Sequence, residues 1–183
     1  MITTTKYNQT TISKKVTLDG VGLHTGKDVT LTFNPSEANT GYVFKRIDLK
    51  DMPLVEADIN YVSNTERGTC LNKNNVIIQT CEHVLASLVG LEIDNVLIEL
   101  NASEPPIMDG SSKFFVEALE KAGIKELDEK RKEFIVKNVI SFKDENTGSE
   151  ITIIPSKEYQ VTTMVDFGTK ILGTQNASIS SIS

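Results

Sequence analysis

A glutamate and a histidine stand side by side in Thr80-Cys81-Glu82-His83, where an apolar stretch passes into a segment with helical spacing. Near a helix start, the positive end of the helix dipole disfavours protonation of an imidazole, and a neutral imidazole is a common metal ligand. A neighbouring carboxylate could take the proton of a water molecule bound to the same metal. Glu82 and His83 are therefore the first candidates for a hydrolytic site.

An ordinary structural interpretation remains open, because glutamate is frequent in first helical turns and lone histidines are usually partly buried and hydrogen-bonded. The metalloprotease helix motif is excluded, since it needs a second histidine where Ser87 stands. Cys81 is two positions before His83 and would point to nearly the opposite side of a helix, which argues against a local zinc site. The only other histidine, His24, lies in a glycine-rich segment that favours a tight turn over a phosphate-binding loop.

The composition of the 183 residues, with 39% hydrophobic and 24% charged residues, is typical of a globular protein. A net charge of −6 argues against general binding to nucleic-acid backbones. Cys70 and Cys81 are too few for a disulfide framework. No apolar run approaches the roughly 20 residues of a membrane span, and the N-terminus lacks the apolar core of a signal peptide. We expect a cytoplasmic protein with no transmembrane segment and no nucleic-acid partner.

The elements that must position residues 80–83 are mostly strands. Residues 28–33 alternate between apolar and polar side chains, as in a half-buried strand. A turn is expected at Asp19-Gly20, and residues 72–75 are predicted to form a hairpin loop. The predicted strands of this part are residues 11–18, 28–33, 42–47, 55–59, 69–71, 76–79 and 96–100.

Two helices are predicted beside these strands. The first begins near Glu82 and is ended by Gly90; the second is capped by Ser111 or Ser112 and closed by Gly123. Glu104 and Asp109, which precede the second helix, could suggest acid–base chemistry. The favoured interpretation is a structural one, in which this segment only ends one element before the next, capped helix begins. The apolar positions at helical spacing are Val84, Leu85, Leu88 and Val89 in the first helix and Phe115, Ala118, Leu119 and Ala122 in the second.

The predicted fold class is α+β, with a mixed sheet and two helices packed on one of its faces in a two-layer domain over residues 1–126. The charged segment 125–132 is the predicted domain boundary. Residues 133–183 are expected to be the incomplete start of a second, similar domain, because strands at 134–142, 151–154 and 160–167 lack a covering helix. The polar residues 174–183 offer no core.

Five segments occur in the order seen in one enzyme family. With them, the chain closely resembles the N-terminal part of the zinc-dependent UDP-3-O-acyl-N-acetylglucosamine deacetylases of lipid A biosynthesis, from about residue 11 to its end. The segments are Gly20-Val21-Gly22-Leu23-His24-Thr25-Gly26, Phe44-Lys45-Arg46-Ile47-Asp48-Leu49, Thr80-Cys81-Glu82-His83-Val84-Leu85-Ala86, Gly90-Leu91-Glu92-Ile93-Asp94-Asn95-Val96 and Pro106-Ile107-Met108-Asp109-Gly110-Ser111.

The resemblance implies a hydrolase that removes the acetyl group from the glucosamine nitrogen of a UDP-linked, acylated sugar. It implies two domains, each with a sheet layered on two helices, and an active site between them. By position, Glu82 resembles the general base and His83 the first zinc ligand. Asp166 and Phe167 resemble the pair that receives uracil; the alternative is a strand end with its phenylalanine in the core. Segment 63–69 corresponds to a stretch that lines the reaction centre.

The family's other zinc ligands, its general-acid histidine and its oxyanion-stabilising threonine have no counterpart in these residues. A catalytic zinc needs three protein ligands and an open position, and His83 supplies one. We therefore expect an N-terminal fragment that is inactive alone, binds little or no zinc and self-associates through exposed apolar surface. The alternatives are a stand-alone, non-enzymatic binding module derived from that enzyme, and an oligomer that builds a zinc site from His83 or His24 of several chains.

Overall fold

The structure of the protein, a computed structural model, describes residues 1–180. Two compact units divide the chain: Lys6–Arg131, and Met1–Thr5 together with the chain from Lys132 onward. The predicted α+β class is confirmed. In chain order the elements are β1 (Ile2–Ile12), β2 (Val16–Val21), β3 (Asp28–Pro35), β4 (Tyr42–Arg46), β5 (Leu54–Glu56), a 3₁₀ turn (Ile59–Tyr61), β6 (Val62–Asn64), β7 (Cys70–Lys73), β8 (Val76–Ile78), α1 (Glu82–Gly90), β9 (Val96–Leu100), α2 (Lys113–Ala122), β10 (Ile124–Phe134), β11 (Ile140–Lys143), β12 (Glu150–Ile153), β13 (Val161–Asp166) and β14 (Thr174–Ile179).

A five-stranded mixed sheet is the frame of the Lys6–Arg131 unit. Its order is β2-β3-β9-β4-β5, with β4 and β9 parallel and the other neighbours antiparallel. Alternation along β3 buries Val29, Leu31 and Phe33 on one face. On the other face the hydroxyls of Thr17 and Thr32 lie 2.9 Å apart across β2 and β3. The sheet therefore has one apolar face and one polar face.

Apolar side chains of both helices share one core with the apolar face of the sheet, as predicted. The Phe115 ring of α2 meets the Phe33 ring of β3 edge to face, with ring centroids 6.4 Å apart. The second helix ends at Gly123, whose φ of +73° suits a residue without a side chain. The first helix ends at Gly90, its last residue, as predicted. Among the described residues, neither helix is long and apolar enough to cross a membrane.

A second, three-stranded sheet of β6, β7 and β8 leads into α1. The predicted hairpin is present, but its loop is shorter than residues 72–75, since Asn72 and Lys73 pair with β8. Asn74 and Asn75 form the turn, with φ of +52° and +65°. Asparagine tolerates this left-handed conformation, which tight two-residue hairpins require.

Two predictions for the N-terminal strands are wrong. Residues 11–18 are not one strand, because β1 ends at Ile12 and β2 begins at Val16, and Ser13 N–H donates instead to Gly123 O at 2.8 Å. Asp19-Gly20 is not a turn, since both residues pair with β3. A Cβ on Gly20 would lie 2.8 Å from Pro106 Cβ, so this glycine serves close packing.

The charged segment predicted as a boundary forms most of β10, which pairs with β1. Polar contacts take the place of core burial. Lys130 Nζ donates to Asn8 Oδ1 at 2.6 Å, and Arg131 Nη2 donates to Asp94 Oδ2 at 3.0 Å. This segment is therefore a strand, and the division between the two units, after Arg131, falls within it.

In the other unit, β11 pairs with β12 and β13 pairs with β14. The predicted strand at 134–142 is interrupted, because β10 ends at Phe134 and β11 begins at Ile140. The polar tail, expected to offer no core, contributes β14, whose side chains are all exposed. Residues 181–183, the end of that predicted tail, lie outside the described residues.

Candidate active site

Glu82 and His83 occupy the first two positions of α1. Glu82 Oε2 accepts a hydrogen bond from Thr69 N–H at 2.8 Å, and Glu82 Oε1 lies 4.0 Å from His83 Nε2. The His83 and Glu82 side chains are 31% and 37% exposed. Ser112 Oγ donates to the His83 carbonyl at 2.9 Å and ties α2 to the first turn of α1. A carboxylate oxygen and an imidazole nitrogen thus stand together within reach of solvent.

The neighbouring cysteine does not belong to this pair. Cys81 is fully buried, and its thiol donates to Thr69 O at 3.3 Å. Burial, together with the nearby charge of Glu82, raises the pKa of the Cys81 thiol to about 12. The thiol therefore stays protonated at neutral pH and is a poor nucleophile or metal ligand.

Sequence reasoning missed the importance of Glu104, which is fully buried behind the site. Its carboxylate accepts hydrogen bonds from Thr80 Oγ1 at 2.9 Å and from His24 N–H at 3.0 Å. Thr25 donates twice, through its N–H at 2.9 Å and its Oγ1 at 3.0 Å. Burial raises the pKa of the Glu104 carboxyl, but these hydrogen bonds outweigh it and the net shift is downward.

The glycine-rich segment is a tight turn, as favoured from the sequence, with Gly26 N–H donating to Gly22 O at 3.0 Å. This turn encloses the Glu104 carboxylate. A Cβ on Gly22 would lie 2.4 Å from Thr25 Oγ1 and 2.6 Å from Glu104 Oε2. Gly22 therefore leaves the space in which Glu104 meets its donors, and no local pattern in the sequence joins residues so far apart in the chain.

His24, at the tip of the same turn, is exposed, and its Nε2 lies 3.4 Å from Arg67 O. The turn therefore approaches segment 63–69, whose last residue, Thr69, binds Glu82. Within residues 1–180, no group of three or more His, Cys, Asp or Glu side chains is placed to hold a metal ion. The predicted ligand His83 is thus a single imidazole beside its carboxylate.

The other predicted site residues, Asp166 and Phe167, belong to the unit that begins at Lys132. Asp166 ends β13, and its Oδ1 accepts a hydrogen bond from Gly168 N–H at 2.9 Å. Phe167 is 47% exposed. Within the described residues, the Phe167 ring is therefore not buried in a core.

Comparisons with known proteins agree with the resemblance in the sequence. The family model described as LpxC, UDP-3-O-acyl N-acetylglycosamine deacetylase, matches residues 9–183. The bifunctional enzyme LpxC/FabZ of Chlorobaculum tepidum is 42% identical over 94% of this chain and 37% of its own length. That of Bacteroides thetaiotaomicron is 41% identical over 93% and 37%.

The UDP-3-O-acyl-N-acetylglucosamine deacetylase of Geobacter sp. (strain M21) is also similar, at 39% identity over 93% of this chain and 55% of its own length. The chain thus spans between 37% and 55% of the length of these three relatives. The family match, in contrast, extends over nearly the whole chain. This chain belongs to the UDP-3-O-acyl N-acetylglycosamine deacetylase family.

Proposed function

We propose that the intact protein containing this chain removes the N-acetyl group of a UDP-linked 3-O-acyl-N-acetylglucosamine in lipid A biosynthesis. One observation carries the proposal: Glu82 Oε1 and His83 Nε2 lie 4.0 Å apart, partly exposed, at the start of α1. A base and a metal ligand of a hydrolytic site need this proximity. The names of the relatives support the choice of substrate.

In the proposed reaction, water adds across the amide, the C–N bond breaks, and acetate leaves the glucosamine nitrogen. The Thr69 N–H holds Glu82 Oε2, so Oε1 is the carboxylate oxygen beside His83 Nε2. Glu82 acts as the general base and takes the proton of the attacking water at Oε1. The hydrogen bond to Thr69 restricts the carboxylate to one orientation before substrate arrives.

His83 fits the role of a zinc ligand, because its imidazole is partly exposed at the start of α1, beside the Glu82 carboxylate. Zinc, when bound, would polarise the amide carbonyl and make the attacking water more acidic. A catalytic zinc takes three protein ligands. We infer that the intact protein supplies the others, and that these 183 residues alone bind little zinc and are inactive.

Replacement of Glu82 by glutamine in the intact protein tests the proposal. Glutamine keeps an oxygen for the Thr69 N–H but cannot take a proton, so kcat should fall by at least about a hundredfold. Glu120→Gln, at an exposed position of α2, is the matched control and should leave kcat unchanged. His83→Ala should remove both activity and bound zinc. A Glu82→Gln protein with the parental rate would refute the role of Glu82, and substrate binding without turnover in the parent would favour the binding module.

We also propose that Asp166 and Phe167 receive the uracil ring, with Phe167 stacking on the base. The exposure of the Phe167 ring at the end of β13 supports this role. Phe167→Ala in the intact protein should raise KM with little change in kcat, because the ring would contribute binding and no chemistry. Phe142→Ala, which removes a ring that is 67% exposed, is the control. Equal KM values for the two variants would contradict the assignment.

Two further features of the chain concern its cellular location and its self-association. Cys70 and Cys81 are both free thiols, which supports a reducing, cytoplasmic location. The unit from Lys132 onward exposes large apolar side chains, including Phe134, Phe142 and Met164. We propose that the 183-residue chain self-associates through them, because exposed apolar patches favour association.

A further inference from the structure

We infer that Glu104 is a positioning residue: through Thr80, its buried carboxylate holds the turn before α1 and thereby sets where Glu82 and His83 stand. The inference deepens the proposed function and rests on it for its kinetic test. Neither residue touches the reacting atoms. Their effect would pass to the catalytic pair through a short series of contacts.

The first observation is the way in which Glu104 is held. A buried carboxylate is unfavourable unless hydrogen bonds replace its lost water. Here the donors come from two separated parts of the chain, the turn that carries His24 and Thr25 and the residue Thr80. Two of the donors are backbone N–H groups, and two are threonine hydroxyls. The carboxylate therefore fixes the place of Thr80 relative to that turn.

The second observation is the backbone of Thr80, which has a φ of +50°. Threonine is β-branched and rarely adopts this left-handed conformation, so surrounding contacts must hold it there. The preceding residue is anchored as well, since Gln79 N–H donates to Ser103 O at 2.7 Å. The bond from Thr80 Oγ1 to Glu104 Oε1, at 2.9 Å, is the side-chain contact that keeps the bend.

The third observation connects Thr80 to the catalytic pair. The next residue, Cys81, donates to Thr69 O through both its N–H and its thiol, at 3.2 and 3.3 Å. Thr69 in turn donates its N–H to Glu82 Oε2 at 2.8 Å. A shift of Thr80 would move Cys81, release Thr69 and free the Glu82 carboxylate to rotate. Misplacement of a catalytic group by about 1 Å can lower a rate by about a hundredfold.

Thr80→Val in the intact protein tests the inference, because valine keeps the shape of threonine and removes only the hydroxyl. Glu104→Gln is less informative, since its amide would face N–H donors and the protein could fail to fold. Thr80→Ser restores a hydroxyl. The control is Thr11→Val, in another buried threonine of the same unit. It removes a hydroxyl that donates to Asn95 O at 2.7 Å and accepts from Ser36 N–H at 3.0 Å.

We expect Thr80→Val to lower kcat about tenfold or more with KM nearly unchanged, and Thr80→Ser to recover most of the loss. Thr11→Val should lose at least as much stability but keep its kcat. Amide hydrogen exchange adds a readout that needs neither metal nor turnover: the Thr69 N–H should exchange faster in Thr80→Val than in Thr11→Val. Equal kcat or equal Thr69 exchange in these two variants would overturn the inference. An inactive parent would refute the proposed function instead, and the exchange measurement would still decide the role of Glu104.

Discussion

Glu104 brings a carboxylate into the interior of the Lys6–Arg131 unit, and its hydrogen bonds determine how it responds to acid. Burial raises the pKa of the Glu104 carboxyl, but the hydrogen bonds from Thr25, His24 and Thr80 together lower it by more. The folded-state pKa therefore lies below the unfolded value. Such a group contributes stability that is fully present above the unfolded pKa. That stability is lost as the pH falls through the folded pKa.

We therefore expect acid to destabilise the parent protein partly through Glu104. Thr80→Val removes one of the bonds that lower the Glu104 pKa, so it should lose less stability than the parent between about pH 7 and about pH 3. Urea unfolding at several pH values measures this difference. Thr11→Val is the control: it should be less stable at neutral pH but keep the parental acid dependence. Parallel curves for both variants would contradict the role given to the Thr80 bond.

At the scale of single residues, the sequence predicted the place of Glu82 and His83 but not the hydrogen bonds of Glu104 that hold the turn before them. Helical spacing after residue 83 is a local signal, and it placed both residues at the start of α1. The donors to Glu104 lie about 80 and 24 positions away along the chain. Such a bond is decided by tertiary packing, to which the local pattern around residue 104 gave no clue.

At the scale of elements, the sequence predicted the apolar stripe of α2, which packs against the sheet through Phe115. Phe115 is 1% exposed against Phe33, whereas its neighbour Phe114 is 38% exposed. Phe115→Ala should lower the free energy of unfolding by about 3–5 kcal/mol, because it leaves a cavity in the core. Phe114→Ala should cost less than about 1 kcal/mol. Urea unfolding compares the two, and similar losses would show that the stripe is not the packing face.

Elements fixed by short-range patterns were predicted well, and those fixed by distant partners were not. The helices and the β7–β8 hairpin follow from periodicity and turn residues. The break at residues 13–15 depends on Gly123, and the strand β10 depends on its pairing with β1. Gly20 continues β2 by pairing with β3, in a place where Pro106 leaves no room for a side chain. The local patterns had instead predicted a strand through residues 13–15, a domain boundary at residues 125–132 and a turn at Asp19-Gly20, because the tertiary partners of these segments cannot be read from neighbouring residues.

At the scale of the molecule, the two units differ in how they bury apolar side chains. Lys6–Arg131 has a continuous core, whereas the strands β11, β12, β13 and β14 keep their side chains exposed. If apolar exposure drives self-association, sedimentation velocity of the 183-residue chain should show larger species as concentration rises. Phe142→Ser combined with Met164→Ser should weaken the association.

The control for this prediction is Ile59→Ser, which replaces a side chain that is 85% exposed in the Lys6–Arg131 unit. It should leave the concentration dependence unchanged, because a single exposed residue outside the apolar strands offers little contact area. A compact monomer at high concentration would contradict the prediction of self-association.

The two cysteines offer a practical handle on this protein. The Cys81 thiol is buried with its pKa raised to about 12, whereas Cys70 is partly exposed and directly follows Thr69. Maleimide reagents attack thiolates, so the folded protein at neutral pH should be labelled once, at Cys70, as peptide mass spectrometry would verify. Labelling at Cys81 would contradict its burial. A fluorophore attached to Cys70 would lie next to Thr69, the residue that orients Glu82, and its emission would report changes at that carboxylate.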